Sequence, residues 1–208
     1  NTGHFLAQTT LPGFRASFGY GDWDGNGLGH YGNFRLKLAA LHRQPDLKDL
    51  ALRIYENDPS TMEHAWFSLL WDDPSLPRGD ATRLPPASFW PDIGLGIVRD
   101  SWEPGARSAM FNCGPFGGYT LNRYRAERGG AYINVAHDDP DANAFVLAAG
   151  TEFLAETDRY AEHKASRSHN TILVNGLGQM AQGRPENVKF SQPGGDMARM
   201  GVVTAWRD

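Results

Sequence analysis

Residues 132–155 read YINVAHDDPDANAFVLAAGTEFLA. Short apolar runs, Tyr132–Val135, Ala144–Ala148 and Glu152–Ala155, alternate there with clusters of Asp, Pro, Asn and Gly. The runs have strand length, and the clusters between them are turn chemistry. Working outward, the same pattern recurs at Leu95–Arg99, Ser108–Cys113, Thr171–Val174, Val188–Ser191 and Met200–Trp206. Many short strands with turn signals between them predict an antiparallel β-sandwich over 88–208.

Upstream the period changes. Phe34, Leu38 and Leu41 fall at i, i+4, i+7; Leu47, Leu50 and Ile54 at i, i+3, i+7; Met62, Trp66, Leu69 and Leu70 at i, i+4, i+7, i+8. These spacings predict amphipathic helices over 30–43, 46–56 and 60–71, with Ser60 as N-cap of the last. Residues 1–27 are Gly-rich and read as irregular. Between helices and strands, Pro74, Pro77, Gly79, Pro85 and Pro86 exclude a helix and mark a linker over 73–87. The fold class is therefore α+β, with helices in 1–72 followed by the sandwich.

Bulk properties narrow the function. The net charge is −4, and no Lys/Arg run supplies a phosphate-binding footprint, which argues against nucleic acid. A polyanionic sugar needs only a locally basic cleft, and Arg123, Arg125 and Arg128 come nearest to one. Aromatic residues make up 12% of the chain, and Gly (24) with Pro (13) exceed a sixth of its 208 residues. Both features suit a turn-rich β protein or a carbohydrate enzyme with aromatic walls. The single cysteine, Cys113, excludes an intrachain disulfide and leaves the compartment open. No apolar run approaches membrane-spanning length. The chain opens Asn1-Thr2-Gly3 and stops at Trp206-Arg207-Asp208, so both ends read as cut and a missing signal peptide carries little weight.

Polar groups gather beside the apolar runs. His137, Asp138, Asp139, Asp141 and Asn143 precede one run; Asp158 and Tyr160 follow another; His169, Asn170, Asn175 and Gln179 flank a third. Side chains at strand ends converge readily on one cleft. His137, Asp139, Asp158 and His169 together offer the imidazole and carboxylate donors that suit zinc. Tyr160, two residues past Asp158, shares its face in an extended segment. Each group also has a bland reading: Asp-Asp-Pro-Asp is a good turn sequence and Asn175-Gly176 a hairpin signal.

The run His-x-Asp-Pro-Asp-Ala-Asn-x-Phe (137–145), then Asp-x-Tyr (158–160), then His-Asn-Thr-Ile-Leu-Val-Asn-Gly-x-Gly-Gln (169–179) resembles the signature of the heparinase II/III-like C-terminal domain. The match is specific over 132–183 and weaker over 88–131. The resemblance implies a polysaccharide lyase of uronic-acid glycans, built as the end of an (α/α) toroid (1–72) followed by a β-sandwich, both incomplete. It implies that His137 is an active-site histidine, and that Asp139, Asp158 and His169 hold a divalent metal. Asp139 stands where relatives carry a second histidine, and Glu156 competes with Asp158. A carboxylate in place of an imidazole moves the preference from Zn²⁺ toward Mn²⁺ or Ca²⁺.

The implied reaction is β-elimination. A proton α to the uronate carboxylate is removed, and the 4-linked sugar oxygen leaves. Developing enolate charge calls for donors aimed at the carboxylate, and proton transfer for a base and an acid. His137 and Tyr160 are the candidates for those two roles, with Asn143 and Arg123 as substrate contacts. In relatives the toroid supplies further essential groups, so the 208-residue chain alone is expected to be inactive. A uronate epimerase shares the proton abstraction, and a non-catalytic carbohydrate-binding sandwich shares the aromatic content. The scarcity of Arg and Lys leans toward a non-sulfated uronan. The resemblance also implies a secreted or periplasmic protein.

One motif competes. Asp22-Trp23-Asp24-Gly25-Asn26-Gly27 resembles the first half of an EF-hand loop, but the twelfth position is Asn33 instead of a bidentate Glu. The blander reading is a Gly-rich loop entering the helix near His30, where Tyr20 and Trp23 can stack on sugar.

Overall fold

The computed structural model describes residues 2–19, 28, 32–62, 65–115, 117–129, 139, 141–155, 166–173 and 175. The described residues are α+β: helices followed by an antiparallel sheet. Helix α1 (Thr2–Gln8) precedes α2 (Gly32–His42), α3 (Pro45–Asn57) and α4 (Ala65–Trp71). A further helix, α5 (Tyr119–Glu127), lies between the third and fourth strands. Among the described residues no helix is long and apolar enough to cross a membrane.

Helix α3 follows its pattern closely. Pro45 opens it, where a missing N–H costs nothing, and Leu47, Leu50 and Ile54 are all buried. Helix α2 corrects the expected face. Leu38 is buried, but Phe34 and Leu41 are exposed, and the apolar side chains buried on this helix are Leu36, Leu38 and Ala39. Leu36 packs on Ala51 of α3, while Leu38 and Ala39 join the main helical core. The third predicted helix divides into a 3₁₀ turn, Pro59–Met62, and α4. Ser60 is not its N-cap: Asp58 accepts from the Ser60 N–H at 3.0 Å. Trp66, Leu69 and Leu70 of α4 are exposed. The N-terminal segment, expected to be irregular, carries α1 and then a narrow loop closed by Leu11 N–H to Ala16 O (2.8 Å) and Phe18 N–H to Thr9 O (2.8 Å).

The sheet runs β1 (Ala87–Trp90), β2 (Leu95–Arg99), β3 (Arg107–Asn112), β4 (Ala144–Ala149) and β5 (Glu152–Ala155), in chain order and antiparallel throughout. Register places Leu95 opposite Asn112 and Asn112 opposite Ala144 at one end. Arg99, Ser108 and Ala148 line up at the other. Alternation then sorts the faces. Leu95, Ile97, Met110, Val146 and Ala148 form a core with Leu11, Ala16 and Phe18 of the N-terminal segment. Phe89, Val98, Phe111, Phe145, Leu147 and Leu154 are exposed. Residues 171–173, expected as a strand, are not one, and the candidates at 132–135, 188–191 and 200–206 lie outside the described residues.

Two polar anchors tie the helices to the sheet. The Asp49 carboxylate accepts from Arg53 Nε (2.6 Å), Arg78 Nε (2.5 Å) and the Ala81 N–H (2.7 Å), binding α3 to the segment entering β1. Burial alone would raise this carboxyl; the Ala81 N–H, Arg78 and Arg53 outweigh burial and hold it below the ordinary carboxylate value. The second anchor is a column of rings and cations. Arg53 lies 5.4 Å from the Phe14 ring, Phe14 stacks on Trp102 at 5.7 Å, and Arg99 lies 3.7 Å from the Trp102 ring. The Arg99 guanidinium donates to the Gln8 carbonyl, and burial pulls its pKa down to about 9, still charged at neutral pH.

Candidate functional site at the Leu95–Asn112–Ala144 end of the sheet

The residues before β4 form a tight, internally bonded turn. The Asp141 N–H donates to Asp139 O at 2.9 Å, and the Ala144 N–H to Asp141 O at 2.8 Å. Asn143 sits at φ 62°, a left-handed conformation that Asn tolerates better than most residues. Asp139 is buried, and Asp141 is half-buried. Asn112, at the end of β3, donates its Nδ2 to Asp141 Oδ1 at 2.7 Å and accepts the Gly114 N–H at 3.2 Å. The turn is thus pinned to the strand end beside it.

The His-Asn-Thr run is fastened to the same turn. Asn170 O accepts the Phe145 N–H (3.3 Å), Asn170 Nδ2 donates to Phe145 O (3.1 Å), and Thr171 Oγ1 donates to Ala142 O (2.6 Å). A 3₁₀ turn, Ser166–Ser168, delivers His169, whose N–H donates to Ser166 O at 3.0 Å. Segments distant along the chain, one carrying Asp139 and the other His169, therefore lie side by side at one strand end.

Helix α5 docks on the same end. Its first N–H groups meet Asp92: Tyr119 N–H donates to Asp92 O (2.7 Å) and Thr120 N–H to Asp92 Oδ1 (2.9 Å). An external carboxylate thus caps a helix whose own N-cap, Gly118, has no side chain. Close backbone approach makes the docking possible: a Cβ on Gly114 would run into the Ile93 carbonyl. The basic residues of this region separate. Arg123 is exposed, Arg125 is buried with Nη1 donating to Asn122 Oδ1 (3.2 Å), and Arg128 lies 4.1 Å from the Tyr124 ring.

Asp139, Asn143, Arg123 and His169 are thus described, the first, second and fourth on the paired segments and Arg123 on the adjoining helix. His137, Asp158, Tyr160, Tyr20 and Trp23 lie outside the described residues, as do Glu156 and the Asp22–Gly27 loop. Among the described residues no group of three or more His, Cys, Asp or Glu side chains is disposed to hold a metal. Asn112 and Asp92 were missed at the sequence level. Each is a polar residue beside an apolar run, a signal the chain repeats too often to single them out.

No protein-family model matches the chain, and no curated protein matches it. Solved structures do. One titled crystal structure of heparinase III matches 85% of this chain with a TM-score of 0.54 at 11% identity. A second, a heparinase III gene product with methylated lysines, matches 84% with a TM-score of 0.52 at 13% identity. The fold is heparinase-like. At such low identity the heparinase likeness concerns the path of the chain and not its chemistry. The chain spans about a quarter of the heparinases it matches, 26% and 23% of their lengths.

Proposed function

We propose that this chain is part of a polysaccharide lyase that cleaves uronic-acid glycans by β-elimination. The observation that carries the reading is the pairing of Asp139–Phe145 with His169–Thr171 at one end of a heparinase-like sheet. In this reading 1–72 are the last helices of an (α/α) toroid, 73–87 a linker and 88–208 a β-sandwich. The exposed apolar face of Phe89, Val98, Phe111, Phe145 and Leu147 suits the second sheet that a sandwich requires.

The chemistry follows from the substrate. Abstraction of the proton α to the carboxylate leaves electrons that form a double bond as the C4–O bond breaks, and the departing oxygen takes up a proton. His137 and Tyr160 exchange those two protons. Asn143 and Arg123 contact the substrate, with Tyr20 and Trp23 stacking on sugar. Asp139, Asp158 and His169 hold a divalent cation, Zn²⁺ or, given the extra carboxylate, Mn²⁺ or Ca²⁺, whose part is to brace the cleft wall. The protein works outside the cytoplasm, secreted or periplasmic, where its polymeric substrate is found.

The test is to incubate the longer protein that contains this chain with a panel of acidic polysaccharides and follow unsaturated-uronate absorbance. Cleaved, unsaturated products are expected, lost in His137→Ala. Solvent proton exchange without cleavage would replace the lyase reading with an epimerase. Neither product nor exchange across the panel would overturn both. The 208-residue chain alone is expected to give no product.

A further inference from the structure

At the opposite end of β2–β4 from Asp139 and His169, a cavity of about 270 Å³ opens where α3, the Gly13-Phe14-Arg15 loop and the residues after β2 meet. Its polar lining includes Arg15, Arg53, Glu56, Asn57, Thr82 and Glu103, beside Trp102. The loop on its wall is shaped against local preference. Gly13 has φ 83° and Phe14 has φ 59°, and a bulky residue in the left-handed region is held there by its surroundings. Asn57 Nδ2 does the holding, donating to Gly13 O and Phe14 O, each at 3.1 Å.

The charges around the cavity fall into two sets. Arg53 is committed to Asp49 at 2.6 Å, and Glu56 to Arg78 at 2.6 Å. Arg15 and Glu103 are exposed, and neither has an ion-pair partner among the described residues. A guanidinium without a carboxylate suits a carboxylate ligand, which it grips through paired N–H groups. Glu103 accepts hydroxyl protons. Thr82 Oγ1 already donates to Asp80 Oδ1 at 2.7 Å, so its lone pairs remain to accept another. The volume lies below the usual range for drug-sized ligands, about 300–1,000 Å³, and suits a single sugar-sized ring.

We infer that this cavity binds a small hydroxylated carboxylate, its acid group on Arg15 and its hydroxyls on Glu103 and Thr82. The inference stands on the cavity alone and not on the lyase reading. Calorimetry of the full chain with glucuronate as probe, against glucose and acetate, tests it. Glucuronate is expected to bind saturably and each control about tenfold more weakly or worse, since each lacks one set of contacts. Arg15→Ala, at an exposed position, is expected to weaken glucuronate about tenfold with an unchanged melting curve, and Thr82→Val to weaken it less. Absence of saturable binding to wild type would overturn the inference. So would equal affinity in Arg15→Ala and Glu103→Gln, whatever the outcome of the lyase assays.

Discussion

The Arg99 guanidinium carbon lies 3.7 Å from the ring centre of Trp102, and both side chains are buried. Among the described residues Arg99 Nε and Nη1 have no hydrogen-bond partner, so this cation rests on the ring and on the Gln8 carbonyl. The ring contributes more than the charge. Trp102→Ala should cost about 3–5 kcal/mol of unfolding free energy, as for other buried aromatic truncations. Arg99→Met should stay within about 1 kcal/mol of wild type, because it also removes a costly desolvated charge. Urea unfolding monitored by circular dichroism measures both; a larger loss in Arg99→Met would show that the cation dominates.

Asp49 predicts an acid limb. Its folded carboxyl lies below the ordinary value of 3.8, so its stabilisation is complete above that value and is lost as pH falls through the lower, folded one. Asp49→Asn should destabilise at neutral pH by about 1–3 kcal/mol, since it weakens charge-assisted bonds to Arg78 and Arg53, whose guanidiniums stay half-exposed to water. The same variant should flatten the fall in urea midpoint between neutral and strongly acidic pH. An unchanged slope would assign the acid limb to other carboxylates.

Gly114→Ala should release α5. The added Cβ meets the Ile93 carbonyl, a backbone atom beside Gly94, whose own carbonyl accepts the Cys113 N–H at 2.8 Å. Amides of residues 119–127 should then exchange faster with solvent while those of α3 keep their protection. Uniform loss of protection would mean that α5 docking and the rest of the fold are one cooperative unit.

Thr171→Val removes the hydroxyl that bonds Ala142 O at 2.6 Å and keeps the side-chain shape. A loss of about 1 kcal/mol in stability is expected. In the longer protein the proposed function requires more: reduced turnover from a loosened pairing, and metal loss in His169→Ala. Full metal content and activity in His169→Ala would remove that residue from the ligand set.

Legibility in the sequence varied with the number of neighbours an element has. Leu47, Leu50 and Ile54 of α3 face one core, so their spacing reported their burial. Helix α2 divides its apolar residues between partners, and Phe34 and Leu41 mark a face that the described residues do not cover. Strands β2 to β5 were legible as apolar runs between turn signals. Strand β1 was not, because it begins directly after the Pro85-Pro86 pair, whose break signal extends over its first residue. Helix α5 carries little apolar content and takes its cap from Asp92, far away in sequence, so local reading passed over it. At the site, the motif groups residues near 139 and 169; the segments that carry them are joined by one backbone bond, Phe145 N–H to Asn170 O, and by the Asn170 side chain on Phe145 O. The fastening groups Asn112 and Thr171 act through contacts that spacing does not encode.

The N-terminal loop lends Leu11, Ala16 and Phe18 to the sheet, although helices and the proline-rich stretch separate them from it in sequence. Expression boundaries inherit this arrangement. A piece begun at residue 88 would leave Leu95, Ile97, Met110 and Val146 wet and prone to self-association. Adding residues 5–18 as a separate peptide should restore solubility, in the manner of a split protein whose smaller part acts as a lid sealed by oil rather than by charge.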